Sequence, residues 1–272
     1  MRRFLLTVSI AAISLATLPG HAGPVAYSVA RPDLPFHPGR VLTTGAVRES
    51  TNWAGYNLGT IADGRKLYNQ VSGSWTVPTP SLHAAENEYS VNWVGIGGGC
   101  VDKNCLTIDP TLIQAGSGQY IDSSGNRSYF AWWEIIPGPI LEIANFPVHA
   151  GDSFFADIKL KVAFSNVWVI TVINNTTHQT YTTTVPYASG HLTAEWIEER
   201  PSIGGIPAPL PSLTNPRFNN AMVNHAPVAL NPGQAMNMAD TSRLATPSNP
   251  DPDANGFNVC TYTTSCGAPT SR

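Results

Sequence analysis

Short segments in which apolar and polar residues alternate, separated by clusters of Gly, Pro, Asn and Ser, run through most of this chain. Ile158, Leu160, Val162 and Phe164 alternate with Asp157, Lys159, Lys161 and Ala163. A period of two is what a half-buried β-strand imposes, because successive side chains point to opposite faces. A second strand is expected over 167–173, after Ser165-Asn166 as a two-residue hairpin turn. A third, rich in Thr, is expected over 180–185, with Asn174-Asn175 supplying the preceding turn. Segments 70–77, 89–96 and 129–136 are rich in aromatic and β-branched residues and are bounded by turn formers. No segment carries a sustained 3.6-residue apolar stripe with helix caps. The chain is therefore expected to be all-β, with antiparallel strands packed as a sandwich or barrel. Residues 201–255 hold ten prolines and weak periodicity, which predicts long loops carrying a few strands rather than a second domain.

Composition narrows the function classes. Charged residues make up 12% of the 272, against roughly 25% in an average protein. The net charge of −3 argues against a basic nucleic-acid surface. Beyond the first twenty residues nothing approaches the roughly 18 apolar residues of a membrane span. At the N-terminus Arg2 and Arg3 precede an apolar run from Phe4 to Leu18, then Pro19-Gly20-His21-Ala22. This reads as a signal peptide over 1–22, cut after Ala22, and predicts a secreted protein that is free of the membrane once cut. A short membrane anchor is the rival reading, but the run is brief.

Residues 23–48 contain Pro24, Pro32, Pro35 and Pro38 and carry a net charge of +2, whereas residues 49–272 carry −7. A basic leader before an acidic body reads as a pro-segment held by charge and loosened when the body's carboxylates are protonated. A plain linker is the alternative. Residues 49–272 are expected to form one domain. The four cysteines, Cys100, Cys105, Cys260 and Cys266, suggest disulfides in an exported chain, most simply 100–105 and 260–266. A zinc site is disfavoured, since no Cys-x-x-Cys and no suitably spaced His occur.

Two carboxylates stand among apolar neighbours. On a strand, Glu134 shares a face with Phe130, Trp132 and Ile136, and Glu195 shares one with Thr193 and Ile197. A carboxylate on such a face is costly unless paired or protonated, and its pKa should rise. That makes each a functional candidate, with a strand-end carboxylate reaching water as the plain alternative. Trp53 and Trp93 sit among small residues and read either as cleft walls or as core tryptophans. Gln114, a lone amide in Leu112-Ile113-Gln114-Ala115-Gly116, suits an oxyanion donor or a buried backbone partner. The body contains no Gly-x-Ser-x-Gly, no His-Glu-x-x-His and no Asp-Thr-Gly or Asp-Ser-Gly, so serine, zinc and aspartic hydrolase chemistry lack their signatures.

The motifs Asn52-Trp53-Ala54-Gly55, Ser72-Gly73-Ser74-Trp75-Thr76-Val77-Pro78, Trp93-Val94-Gly95-Ile96, Ile113-Gln114-Ala115-Gly116, Ala131-Trp132-Trp133-Glu134 and Ala194-Glu195-Trp196-Ile197-Glu198-Glu199 occur in that order. Together they resemble the glutamic peptidases, also called eqolisins. The resemblance implies a concanavalin-like sandwich of two antiparallel sheets. It also implies an acid-acting endopeptidase on polypeptide substrates, needing neither metal nor other cofactor and expected to act as a monomer. It assigns Gln114 and Glu195 as a catalytic dyad and Trp53, Trp93 and Glu134 as cleft residues. The chain departs from the family pattern at Gly97 and Gly118, where acidic residues are usual, and a shifted pH optimum is expected. Two readings from other classes stay open: a glycoside hydrolase using Glu134 and Glu195, and a glycan-binding module stacking sugars on Trp53, Trp93 and Trp132. Gln114 discriminates, since neither rival gives it a role.

Overall fold

The computed structural model describes residues 25–31, 33–46, 48–64 and 66–270. The signal peptide expected at 1–22 lies outside them. Among the described residues, fifteen strands of four or more residues carry the fold: β1 (Tyr27–Ala30), β2 (Trp53–Gly59), β3 (Gln70–Thr76), β4 (Glu88–Gly97), β5 (Leu112–Ile121), β6 (Arg127–Ile135), β7 (Leu141–Ala144), β8 (Ser153–Leu160), β9 (Val167–Asn174), β10 (Gln179–Pro186), β11 (Thr193–Glu199), β12 (Arg217–Val223), β13 (Ala235–Ala239), β14 (Arg243–Pro247) and β15 (Phe257–Thr261). The only helical piece among the described residues is a 3-10 turn at Pro232–Gln234. No helix there is long and apolar enough to cross a membrane.

The strands pair into two antiparallel sheets. The first runs β1-β7-β6-β5-β4-β11-β2-β13. The second runs β10-β9-β8-β3-β12-β15-β14. The β13–β14 pairing joins them along one side, while β1 and β10 end the path on the other. The result is an all-β sandwich, one of the two arrangements the alternating pattern leaves open and the one the family resemblance implies.

Period-two alternation decides which residues fill the space between the sheets. Tyr56, Val94, Ile96, Ile113, Ala115, Trp133 and Trp196 of the first sheet meet Val71, Trp75, Phe154, Ile158, Trp168, Ile170 and Phe218 of the second. Each fully buried aliphatic or aromatic side chain there contributes roughly 1.5–3 kcal/mol. Buried indoles also need an acceptor. Trp196 donates to the Ser72 carbonyl at 2.8 Å and Trp75 to Ser117 Oγ at 2.9 Å, which pins one sheet to the other. Gly73 makes room for this, since a Cβ there would lie 2.7 Å from Trp196 Cδ1.

The strand expected through 164 stops earlier. β8 ends at Leu160, and the expected two-residue turn is a longer connection closed by the Lys161 N–H donating to the Val167 carbonyl at 2.8 Å. Val162 and Phe164 are exposed in it, and Phe164 has a φ of 61°. The alternation continues past Leu160 in sequence, but no partner strand remains to hold it. The prolines of 201–255 lie outside β12 and β13 and reach β14 only at its last residue, Pro247, and β12 pairs with β3 in the middle of the second sheet. Cys100–Cys105 and Cys260–Cys266 are the two disulfides.

Candidate active site

The outer face of the first sheet carries a second apolar cluster that includes Trp53, Val91, Trp93, Leu112, Phe130, Trp132 and Ile197. Across the middle of that face, Asn57, Glu195, Gly95, Gln114 and Glu134 lie side by side on β2, β11, β4, β5 and β6. Residues paired directly across antiparallel strands point to the same face. Glu195 and Gln114 thus project from one surface on either side of Gly95, with backbones two strand spacings, roughly 9.6 Å, apart. Gly95 puts no side chain between them. A Cβ there would lie 2.6 Å from Cζ3 of Trp93, whose indole covers the gap.

The polar atoms in this row are unusually short of partners. Glu195 is fully buried, and neither of its oxygens lies within hydrogen-bonding geometry of a protein donor. Burial, and then the charge of Asp109, pushes its carboxyl well above the ordinary value. The Thr193 hydroxyl, two residues away on the same face, offsets this only in part and from beyond hydrogen-bonding geometry. Gln114 is also fully buried and donates from Nε2 to Glu134 Oε2 at 2.8 Å, leaving its Oε1 unpartnered. That bond fixes which way the amide points. Burial pushes Glu134 up to about 8, with the Gln114 bond opposing weakly. An unpaired acid, an oriented amide and a protonated carboxyl on one apolar surface can bind, polarise and deprotonate a small polar molecule between them.

Glu199, which sequence reasoning did not single out, belongs to the same face. It is fully buried and accepts from Trp93 Nε1 at 2.9 Å, Asn52 Nδ2 at 3.2 Å and the Gly39 N–H at 2.9 Å. Alternation from Glu195 through Ile197 is the signal that places it there. No group of three His, Cys, Asp or Glu among the described residues is arranged to hold a metal.

The leader lies across this surface. β1 pairs with β7, and Leu34, Phe36 and Val41 are buried in the outer apolar cluster. His37 makes an antiparallel bridge with Ser202, Trp53 Nε1 donates to the Gly39 carbonyl at 2.9 Å, and the Val41 N–H donates to the Gly98 carbonyl at 3.1 Å. Charge plays a smaller part than the leader's composition suggests. Arg31 pairs with Glu142, whereas Arg40 reaches only the Pro110 carbonyl, at 3.4 Å. A partly exposed ion pair contributes roughly 0–1 kcal/mol, against roughly 1.5–3 kcal/mol for each of three buried apolar side chains. Apolar packing and backbone bonds dominate the docking.

With the leader in place, Trp53, Trp93 and Trp132 are all fully buried, and none offers the open ring face that stacking a sugar requires. Glu134 and Glu195 are three strand spacings apart, roughly 14 Å between backbones, with Gln114 between them and bonded to one of them. Close approach accounts for Gly97 and Gly118, the two positions where the chain departs from the family pattern. A Cβ at Gly97 would lie 2.1 Å from the Thr111 carbonyl oxygen, and Gly97 has a φ of +95°. A Cβ at Gly118 would lie 2.2 Å from the Phe130 ring, which packs against Phe36 of the leader. Gly118→Asp is therefore expected to cost roughly 1–3 kcal/mol by overpacking and to lower the melting temperature; an unchanged melting temperature would contradict this packing.

Residues 51–259 match the model of the Peptidase A4 family. Aspergillopepsin-2 of Aspergillus niger is 28% identical over 208 residues, covering 68% of each chain. Among solved structures, scytalido-glutamic peptidase with a transition-state analog inhibitor superposes with a TM-score of 0.56 at 18% identity, over 78% of this chain and 98% of that one. SCP-B, a member of the eqolisin family of peptidases in complex with the tripeptide Ala-Ile-His, gives 0.52 at 18% identity over the same shares. At that identity the structural likeness speaks for the fold.

Proposed function

The chain belongs to the Peptidase A4 family, the glutamic peptidases, and from its peptide-hydrolase activity we propose that a single water is activated jointly by Gln114 and Glu195. The observation that carries this reading is the row across the sheet: the two side chains flank Gly95 on one buried face, and their free oxygens lack protein partners. As a carboxylate, Glu195 takes a proton from the water as it attacks the scissile carbonyl. The Gln114 amide, held by Glu134, donates its second N–H to the developing oxyanion, an effect worth roughly 3–4 kcal/mol for one donor. Glu195, now protonated, passes that proton to the leaving amine. Gln114 cannot titrate, so Glu195 and its surroundings set the acid limb of the rate profile.

Within the same proposal, the chain is secreted and residues 23–48 hold the enzyme latent. The leader packs on the outer apolar cluster of the face that a substrate must reach, and burial keeps the Glu195 carboxyl protonated and idle. Removing the leader admits water and lowers the proton affinity of that carboxyl. The two disulfides suit an oxidising compartment.

The assay uses an unfolded protein substrate between acid and neutral pH, with a metal chelator and a statine-type inhibitor present. Cleavage that rises in acid and survives both additions supports the reading; loss with the chelator rejects it. The docking energetics add a separate expectation. Phe36→Ala removes roughly 3–5 kcal/mol of packing, so the full chain carrying it should cleave substrate without acid pre-incubation. Arg31→Ala should behave as wild type. The reverse result would restore charge as the main restraint.

A further inference from the structure

Asp109 lies in the connection between β4 and β5, just past the Cys100–Cys105 loop, and is fully buried. Its Oδ1 accepts from the Thr111 N–H at 2.9 Å and the Thr111 hydroxyl at 2.7 Å. Its Oδ2 accepts from the Leu192 N–H at 2.9 Å. Leu192 immediately precedes β11, three residues before Glu195. Three donors thus converge on the two oxygens of one side chain.

The surroundings are built to keep that carboxylate in place. The Thr111 hydroxyl that donates to it accepts in turn from the Gly190 N–H at 2.8 Å. A Cβ at Gly190 would lie 2.7 Å from Asp109 Oδ1, so the absence of a side chain there is what admits the acid. The Asp109 N–H donates to the Gly99 carbonyl at 3.0 Å, and the Gly99 N–H donates to Thr193 Oγ1 at 3.2 Å. Thr193 shares a strand face with Glu195. Asp109 is thus tied to β11 on two sides, directly at Leu192 and through Gly99 at Thr193.

We propose that Asp109 is a positioning residue for peptide hydrolysis, a fixed carboxylate that sets where Glu195 sits and how acidic a solution it works in. This rests on the assignment of Glu195 as the general base. Asp109 does not touch substrate. It acts by fixing the start of β11 and by holding a negative charge next to a group that must itself become negative to react. Like charges in a low-dielectric site disfavour joint ionisation. The other charged and titratable groups around Glu195 are few. Tyr68, before β3, interacts with it electrostatically, with Asp63 beyond. Arg48 donates to the Asn57 carbonyl at 3.4 Å on β2, with Asp63 and Asp102 around it. Glu134 on β6 lies behind Gln114. Among these, Asp109 is the carboxylate whose charge acts on Glu195 most strongly after burial itself.

The test is the pH profile of kcat/KM for the full chain after acid incubation, measured for wild type, Asp109→Asn and Gly190→Ala. Asp109→Asn keeps the size of the side chain and removes its charge. The acid limb should move about one pH unit lower, giving about tenfold higher kcat/KM relative to the plateau at a pH just below the wild-type limb. The plateau itself should fall severalfold as Glu195 loses its placement, through kcat rather than KM. Gly190→Ala drives a methyl group into the Asp109 carboxylate without removing its charge and should displace the limb from its wild-type position, which decides the matter if Asp109→Asn does not fold. A merely structural Asp109 would lower the melting temperature and leave the limb where it is. Folded variants with a wild-type acid limb overturn the proposal. If Glu195→Gln retains activity, the general-base assignment fails instead, and the two failures are told apart.

Discussion

Replacing Glu195 with Gln should abolish proteolysis while leaving the sandwich intact. The amide is nearly isosteric with the acid but neither accepts the proton of the attacking water nor returns one to the leaving amine. General acid–base catalysis contributes roughly 10²–10⁴-fold, and the proposed mechanism gives both transfers to this residue, so a loss of at least about a thousandfold in kcat is expected. Stability should not suffer. Glu195 is fully buried with neither oxygen bonded, so the wild-type side chain already bears the cost of desolvation, and an amide that never ionises removes that cost at neutral pH. The variant should therefore melt at the same temperature as wild type in acid and at a higher one near neutrality. Retained cleavage would reject the assignment; loss of activity together with loss of fold would show that the residue serves the sheet.

The second large effect is on stability against pH. Four fully or almost fully buried glutamates, Glu134, Glu195, Glu198 and Glu199, have proton affinities raised by burial. Glu198 faces the opposite way from Glu195, into the space between the sheets, where it takes a hydrogen bond from Asn92 on one oxygen and has no partner on the other. A group whose folded pKa exceeds its unfolded one keeps its proton only while folded. Its contribution is whole below the unfolded value, near 4.5, and is lost as pH rises toward the folded value. For Glu134 that window runs from 4.5 to about 8, worth on the order of several kcal/mol; the other three, raised by burial, act in the same sense. Asp102, Asp122 and Asp240 have lowered proton affinities and act in the opposite sense in strong acid, but they lie in solvent-accessible turns and contribute little. The melting temperature should peak in mild acid and fall steeply between pH 5 and 8, within the window near 4.5 to about 8 set by Glu134. Glu198→Gln should flatten that fall. A melting temperature that stays level or rises over this range would contradict the burial of these acids.

The outer sheet face was legible in the chain because a strand period of two sorts residues without knowledge of partners. Glu134 with Phe130 and Trp132, and Glu195 with Thr193 and Ile197, could be assigned to single faces in this way. Register could not, since it depends on which strands meet: nothing local says that Gly95 falls between Gln114 and Glu195. The same limit hid the early end of β8, where Val162 and Phe164 continue the alternation beyond any partner strand. Charge counting overstated the role of arginines in the leader, because a net charge carries no information on which carboxylates lie within reach; the packing of Leu34, Phe36 and Val41 became evident only in the fold. Asp109 left no trace in the motifs at all. The role proposed for it comes from contacts with Leu192 and, through Gly99, with Thr193, more than eighty residues along the chain.

The central claim is that the Gln114 amide and the Glu195 carboxyl act on the same water, and a double-mutant cycle on kcat/KM tests it most directly. Groups that operate as one unit are strongly non-additive, so that removing the second costs little once the first is gone. Gln114→Ala combined with Glu195→Gln should be about as inactive as Glu195→Gln alone. If the two losses instead multiply, the amide and the acid serve separate steps, and joint activation of one water is wrong.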